Sequence, residues 1–375
     1  GIEGSGRAEH VVLCLHQRYC RERLGFSFCQ PLRLRGAAGW VRMVSTPPPH
    51  VLSSGRVLLT QTCKRRVFCV HITPMAINRI PFNKPASSPE QLLQKLERQG
   101  LVVEDADREQ ARNYMRFVGG YRLKGYWHHL VDPVTKAFPA GYRFEQIVSR
   151  CEFDRELRVL TMAAIERLEI AVRVVMANHL SMKHSPHWFL DGRLFRQGRR
   201  QGAAELVAKI EAEVDRARDK TFVKHYFSRY SEPYLPPSWS VCECVTFGLW
   251  SRTYQLLKNP DDRKAISRRF NVDATEVFES WIHTLTVVRN MVAHSGQLLR
   301  VTLGVAPKDY RKAGIRFSDS KSFYAVATVI KYLLRQTGLP LEWSEQLKAL
   351  FVKYPEVDMA EIGFPTDWSN RPGWL

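Results

Sequence analysis

Phe-Glu-Ser-Trp-Ile-His-Thr-Leu-Thr-Val-Val-Arg-Asn-Met-Val-Ala-His-Ser-Gly, residues 278–296, is the stretch on which the reading of the chain turns. Its apolar residues Phe278, Trp281, Ile282, Leu285, Val288 and Val292 recur at intervals of three and four, the period of one buried helical stripe. The spacing predicts a core helix. Arg289, Asn290 and His294 sit near its end, and Gly296 follows where a C-terminal cap is expected. Asn290 and His294 are four apart and share a face. Arg289 lies about 140° away at about 100° per residue, so its long side chain must curl, or reach a neighbouring molecule, to join them.

A guanidinium and an imidazole at the end of a packed helix suit one reaction. The His takes the proton of a ribose 2′-hydroxyl, the Arg neutralises charge building on the adjacent phosphate, and the RNA strand cleaves itself to a 2′,3′-cyclic phosphate without a metal. An imidazole with an ordinary pKa near about 6.5 accepts a proton at neutral pH. The spacing alone carries little: Arg66 and His71 share it. Only Arg289 and His294 combine it with an Asn after the Arg, an apolar helix before and a Gly behind.

The segment resembles the Arg-Asn-x-x-x-His signature of HEPN-type ribonucleases, and its surroundings resemble the Abi family of bacterial abortive-infection proteins (AbiD/AbiF-like). The matching stretches are Pro-Phe-Asn-Lys-Pro at 81–85, Tyr-Arg-Leu-Lys-Gly-Tyr-Trp at 121–127, Phe-Asp-Arg-Glu-Leu-Arg at 153–158 and Ala-Ile-Glu-Arg-Leu-Glu-Ile at 164–170. Leu-Pro-Pro-Ser-Trp at 235–239, Phe247-Gly248, Glu-Ser-Trp-Ile-His at 279–283, Gly-Phe-Pro at 363–365 and Trp368 continue the order, so coverage runs from about 75 to 375. Where the family has a second His and an Arg-Leu-Trp-Asn-Arg run, this chain has Ser-Gly-Gln-Leu-Leu-Arg at 295–300. The resemblance implies a HEPN-like bundle, phage defence by RNA cleavage, and a homodimer in which two Arg289/His294 sets, with Asn290, form one catalytic site. It also implies RNA as partner, as substrate and, for some members, as a small noncoding RNA.

At 375 residues the chain is long enough to bury a substantial core without disulfides or metals. Its 56 basic against 37 acidic residues give +19 and a pI near 9.8, a balance that attracts polyanions. No Cys-x2-Cys pair exists, so no metal and no other cofactor is expected. Cysteine usage fits a reducing cytoplasm, and no apolar run reaches the ~18 residues of a membrane span.

Residues 1–74 show no sustained period and carry a net +8. They read as disordered or as translation upstream of a start at Met75, the alternative being a basic RNA-binding arm. The helical remainder divides into an N-terminal part (75–150), a HEPN-like core (151–305) and a C-terminal helical extension (306–375). Ser88 or Ser87 caps a helix that Gly100 stops, and 104–118 form a second. The longest pattern runs from 152 to 180; others cover 203–230, 239–257, 261–270, 318–336 and 344–354. Only 298–305 alternate like a strand. The fold class is predominantly all-α.

Further candidates follow from residue type. Tyr121, Arg122, Lys124 and Tyr126 alternate aromatic and basic groups, as single-strand binders do, or pack as a turn between helices. Arg263, Lys264, Arg268 and Arg269 offer contacts to RNA phosphates, or an ordinary solvated helix face. Glu166 either joins ion pairs on its own helix or orients Arg289 or His294. His179, His184 and His187 read as helix-end and loop residues rather than ligands. The functional alternatives to an endoribonuclease are a non-catalytic module that holds a structured or noncoding RNA, and a protein acting through protein contacts in which His294 only caps its helix.

Overall fold

The computed structural model describes residues 81–196, 202–339 and 342–374, together with the backbone of 33–34, 37–38, 59–62 and 67–70. The chain divides into two compact units, Gly1–Pro85 and Ala86–Leu375. In the first, β1 (Arg33–Leu34) pairs antiparallel with β2 (Ala37–Ala38), and β3 (Leu59–Thr62) with β4 (Val67–Val70). The reading of residues 1–74 as disordered or non-native falls mostly outside the described residues.

The second unit is helical: α1 (Pro89–Arg98), α2 (Arg108–Asn113), α3 (Gly120–Trp127), α4 (Phe144–Lys183), α5 (Ala203–Arg216) and α6 (Thr221–Arg229). They are followed by α7 (Ser238–Val241), α8 (Phe247–Leu256), α9 (Pro260–Arg268), α10 (Thr275–Ala293), α11 (Phe323–Thr337) and α12 (Trp343–Lys353). The start of α1 follows from local chemistry. Ser88 Oγ accepts from the Gln91 amide at 3.1 Å, Gln91 Oε1 accepts from the Ser88 amide at 2.8 Å, and Pro89 takes the first helical position.

The chain is organised around α4, 40 residues and about 60 Å long. It is packed by α3, α7, α8, α9, α10, α11 and α12, which is why Ile147, Phe153, Leu157, Ile165, Leu168, Val172, Met176 and Leu180 are all buried. The helix exceeds the expected 152–180 at both ends and runs through the expected boundary at 150/151. The C-terminal residues belong to the same core. Trp374 donates from Nε1 to Thr328 Oγ1 at 2.8 Å and packs among Tyr324, Trp343, Phe364 and Trp368, while Trp343 donates to the Leu160 carbonyl of α4 at 3.1 Å.

Several expectations are corrected. Residues 121–127 are not a turn but lie within α3, which a π-helical turn at Tyr114–Gly119 separates from α2; Gly119, at φ +92°, redirects the chain there. Residues 203–230 form two helices, because α5 ends at Ala217 and α6 restarts after Lys220. The helix expected from 318 begins at Phe323. Residues 298–305 form no strand: Leu298, Leu299 and Leu303 are buried, and Arg300 adopts φ +59°, so their alternation reflects anchoring rather than pairing.

Two buried carboxylates tie the bundle together. Asp154 on α4 accepts from the amides of Leu298 and Leu299, both at 2.8 Å, from the Tyr126 hydroxyl at 2.8 Å and from Arg158. Asp262 in the first turn of α9 is met by three residues from the end of α4: His179 at 2.9 Å, Lys183 at 2.7 Å and His184 at 3.0 Å. Burial by itself raises the Asp262 pKa, but hydrogen bonds from Lys183, His184 and His179 outweigh it and hold the carboxyl below its ordinary value of 3.8.

Replacing Asp154 by Ala leaves two amides, a hydroxyl and a guanidinium without their shared acceptor. The expected cost is about 3–5 kcal/mol, seen as a fall in Tm of about 6 °C or more. Asp262 has a second signature. Because its folded pKa is depressed, its stabilisation is complete above the ordinary carboxylate range and is lost as pH falls through the folded value. Asp262→Asn should therefore lower Tm at neutral pH and give a shallower loss of Tm below about pH 4 than the unmodified chain.

Candidate active site

The apolar stripe of α10 packs against α4 and α8, leaving its last turn at the surface. Phe278, Trp281, Ile282, Leu285 and Val288 are fully buried, and Trp281 Nε1 donates to the Lys308 carbonyl at 2.8 Å. The helix closes in a Schellman arrangement. The Gly296 amide donates to the Met291 carbonyl at 2.7 Å and the Ser295 amide to Val292 at 3.0 Å, with His294 as the capping residue. The left-handed residue is Ser295, at φ +58°, rather than the expected Gly296. Gly296 is required for another reason: a Cβ there would lie 2.5 Å from Met291 Cγ and 2.9 Å from the Met291 carbonyl oxygen.

This ending exposes His294 and Asn290 and half-buries Arg289. Arg289 turns toward α4, where its Nε lies 3.4 Å from Glu169 Oε2, and its Nη1 lies 3.5 Å from Asn290 Oδ1. Glu169 is buried and also binds Arg173. One carboxylate thus holds two guanidiniums at the surface edge of α4 and α10. Arg289 Nε makes an ion contact there without hydrogen-bond geometry, so the guanidinium is aimed by charge rather than locked. The expectation that Glu166 orients the site is corrected: Glu166 is exposed on α4, and the carboxylate beside Arg289 is Glu169, three residues on.

The α3 segment reaches the same place. Arg122 Nη2 donates to the Ser295 carbonyl at 2.5 Å, and Gln297 Nε2 donates to the Gly125 carbonyl at 3.2 Å. At Gly125 a Cβ would lie 2.3 Å from Gln297 Oε1, so the glycine permits this approach. Tyr121 is 94% exposed, Phe117 one turn earlier is exposed too, and Arg116, Arg122 and Lys124 surround them. The contacts of Arg122 and Gly125 thus bring α3, with its exposed Tyr121 and Lys124, to the end of α10.

Tyr126 does not belong to that surface; it is buried, and its hydroxyl is committed to Asp154. Burial and the neighbouring Asp154 raise its pKa. Arg263 is likewise buried, paired with Glu279 and stacked over Tyr254 at 5.3 Å. Both fail as RNA contacts because their polar ends are committed to Asp154 and Glu279. Lys264, Arg268 and Arg269 are exposed, and Arg268 pairs with Asp273 at 3.1 Å. The Arg263–Glu279 pair fixes α9 against the first half of α10, ten residues and about 15 Å before Arg289, so this basic group is not brought to the site.

The run 295–300, where the sequence departs from the pattern it resembles, acts as a clamp. Leu298 and Leu299 bind Asp154, and the Arg300 amide donates to the Glu361 carbonyl at 3.0 Å. Glu361 also accepts two bonds from Arg150, and beside this cluster burial, Arg300 and Arg150 push His129 down to about 4. Among the described residues no group of three or more His, Cys, Asp or Glu could hold a metal ion, and no helix is long and apolar enough to cross a membrane.

The family described as Abi-like protein matches residues 113–300, which span α3, α4 and α10 with every residue of this cluster. No curated protein and no solved structure matches.

Glu169→Gln should leave Arg173 and Arg289 without a counter-ion at a partly buried site. The expected loss is about 1–3 kcal/mol in urea or thermal unfolding. Glu166→Gln should change stability by less than about 0.5 kcal/mol. Equal losses in the two variants would contradict the assignment of Glu169 as the partner of Arg289.

Proposed function

The chain belongs to the Abi-like protein family, and from that premise we propose that it is a phage-defence protein of the abortive-infection type that cleaves RNA without a metal. The carrying observation is an exposed imidazole at His294 at the same helix end as a half-buried guanidinium at Arg289 that Glu169 holds by charge. In this reading the substrate phosphate lies against Arg289, and Asn290 donates its amide to a phosphate or ribose oxygen. His294 accepts the 2′-hydroxyl proton as the 2′-oxygen attacks the adjacent phosphorus. The bond to the 5′-oxygen breaks and that oxygen takes up a proton. The products are a 2′,3′-cyclic phosphate and a 5′-hydroxyl end.

The surroundings support an RNA substrate. The net charge of +19 favours a polyanion, and Phe117 and Tyr121 present stacking faces flanked by Arg116, Arg122 and Lys124. A single copy supplies one base and one guanidinium, so the reading takes two copies facing each other, the second imidazole serving as proton donor to the leaving oxygen. It places the protein in the cytoplasm, where RNA is available. The same aromatic and basic surface favours a second reading, a non-catalytic module that holds a structured or noncoding RNA, with Arg289 and His294 positioning phosphates.

RNA incubated with the purified chain in EDTA separates the two. The nuclease reading predicts 2′,3′-cyclic phosphate ends, with cleavage reduced about 100-fold or more in His294→Ala and Arg289→Ala while His294→Ala still binds RNA. Tyr121→Ala should weaken RNA binding by about 1–3 kcal/mol and leave the fold intact. Binding without cleavage, unchanged by His294→Ala and Arg289→Ala, would support the second reading instead.

A further inference from the structure

Among the described residues, one face of α4 exposes a stripe of apolar side chains. Val159, Ala163, Ile170 and Val174 are exposed along it, with Glu166 and Arg167 between them. At about 100° per residue all six fall within an arc of about 100°, spaced by three and four as in a helix–helix seam. The order of side chains is self-complementary. Ala163 and Ile170 are equidistant from the midpoint between Glu166 and Arg167, and so are Val159 and Val174.

We propose that this face is the contact between two copies of the chain, α4 packing antiparallel on the partner's α4 about a two-fold axis at the 166/167 midpoint. The proposal rests on the composite-site reading above and identifies the surface that builds it. In this register Glu166 meets the partner's Arg167 twice, once on each side of the axis. Ala163 faces the partner's Ile170, a small residue against a large one, and Val159 faces the partner's Val174. A parallel pairing would instead set Glu166 against the partner's Glu166 and Arg167 against the partner's Arg167, which like-charge repulsion disfavours. The surface beside Val159 has room for its counterpart: Val159, Leu160, Ala349 and Leu350 line an open groove of about 370 Å³ between α4 and α12, facing the partner's Val174.

The register also explains how the half-sites meet. Glu169, the carboxylate that holds Arg289, lies about 4 Å along α4 from the proposed axis. Arg173 borders the apolar stripe on the side that faces α10. Each copy therefore brings Arg289 to the rim of the interface near the axis, with His294 on the following turn, so that the partner supplies the second base and cation to one composite site.

Sedimentation velocity on the full chain over a concentration series tests this, with circular dichroism melts on each variant to verify folding. The expected result is a species of twice the 43.3 kDa chain mass. Ile170→Asp, Glu166→Arg and Arg167→Glu should each weaken dimerisation at least about tenfold. The double exchange of Glu166→Arg with Arg167→Glu should restore it to within about threefold, because each reversed charge again meets its opposite. A monomeric unmodified chain, a dimer indifferent to all three single changes, or a double exchange that fails to restore pairing would overturn the proposal. RNA cleavage assayed on the same samples keeps the two readings apart. A dimer with the predicted pattern that cleaves nothing upholds the interface and fails the nuclease. A monomer that cleaves fails both the interface and the two-copy site and upholds only the cleavage activity.

Discussion

Asp154 is the constraint on which the site depends. Its carboxylate is fully buried at the middle of the bundle and accepts from two consecutive amides of the chain that has just left α10. Without that acceptor the loop that follows the Schellman ending of α10 would keep only its contacts to Arg122, Gly125 and Glu361, and the buried backbone amides of Leu298 and Leu299 would lack partners. With it, the end of α10 is fixed against α4, and Tyr126 brings α3 to the same carboxylate. The exposed Asn290 and His294 and the half-buried Arg289 sit at the surface end of this buried arrangement.

Charge along the bundle is used in two ways. The buried Asp154 and Asp262 and the half-buried Glu279 and Glu361 gather cations or donors that help set where α9, α10 and the C-terminal segment sit. At the edge, Glu169 holds Arg289 and Arg173 where solvent still reaches them. The internal carboxylates satisfy their cations. The edge carboxylate hydrogen-bonds Arg173 but meets Arg289 Nε by charge alone, which leaves the Arg289 guanidinium with capacity for a phosphate.

Much of this was legible in the sequence. The three-and-four spacing of Phe278, Trp281, Ile282, Leu285, Val288 and Val292 gives α10 and its buried face, and the positions of Arg289 and His294 follow. The start of α1 reads directly from Ser88 and Pro89, and Gln91 completes its capping box in the structure. Long-range pairing did not read. Nothing local to Glu169 marks it over Glu166 as the partner of Arg289, since both sit on α4 among arginines and only the rotation of α4 against α10 separates them. Tyr126 and Arg263 carry the residue types of an RNA surface, yet their carboxylate partners Asp154 and Glu279 are 28 and 16 residues away. The run 298–305 imitated a strand although its consecutive residues Leu298 and Leu299 are buried together on Asp154 and Arg300 turns to Glu361.

In the proposed reading the end of α10 receives an RNA phosphate at Arg289 with the adjacent ribose at His294. A crystal structure of the chain with an RNA whose 2′-hydroxyls are methylated, which blocks attack while keeping the backbone, tests it most directly. The account predicts a phosphate within hydrogen-bond distance of Arg289, its 2′-oxygen facing the His294 imidazole, and a neighbouring base stacked on Tyr121 or Phe117. RNA bound instead along Lys264, Arg268 and Arg269, with Arg289 still turned to Glu169 and no nucleotide near His294, would contradict it.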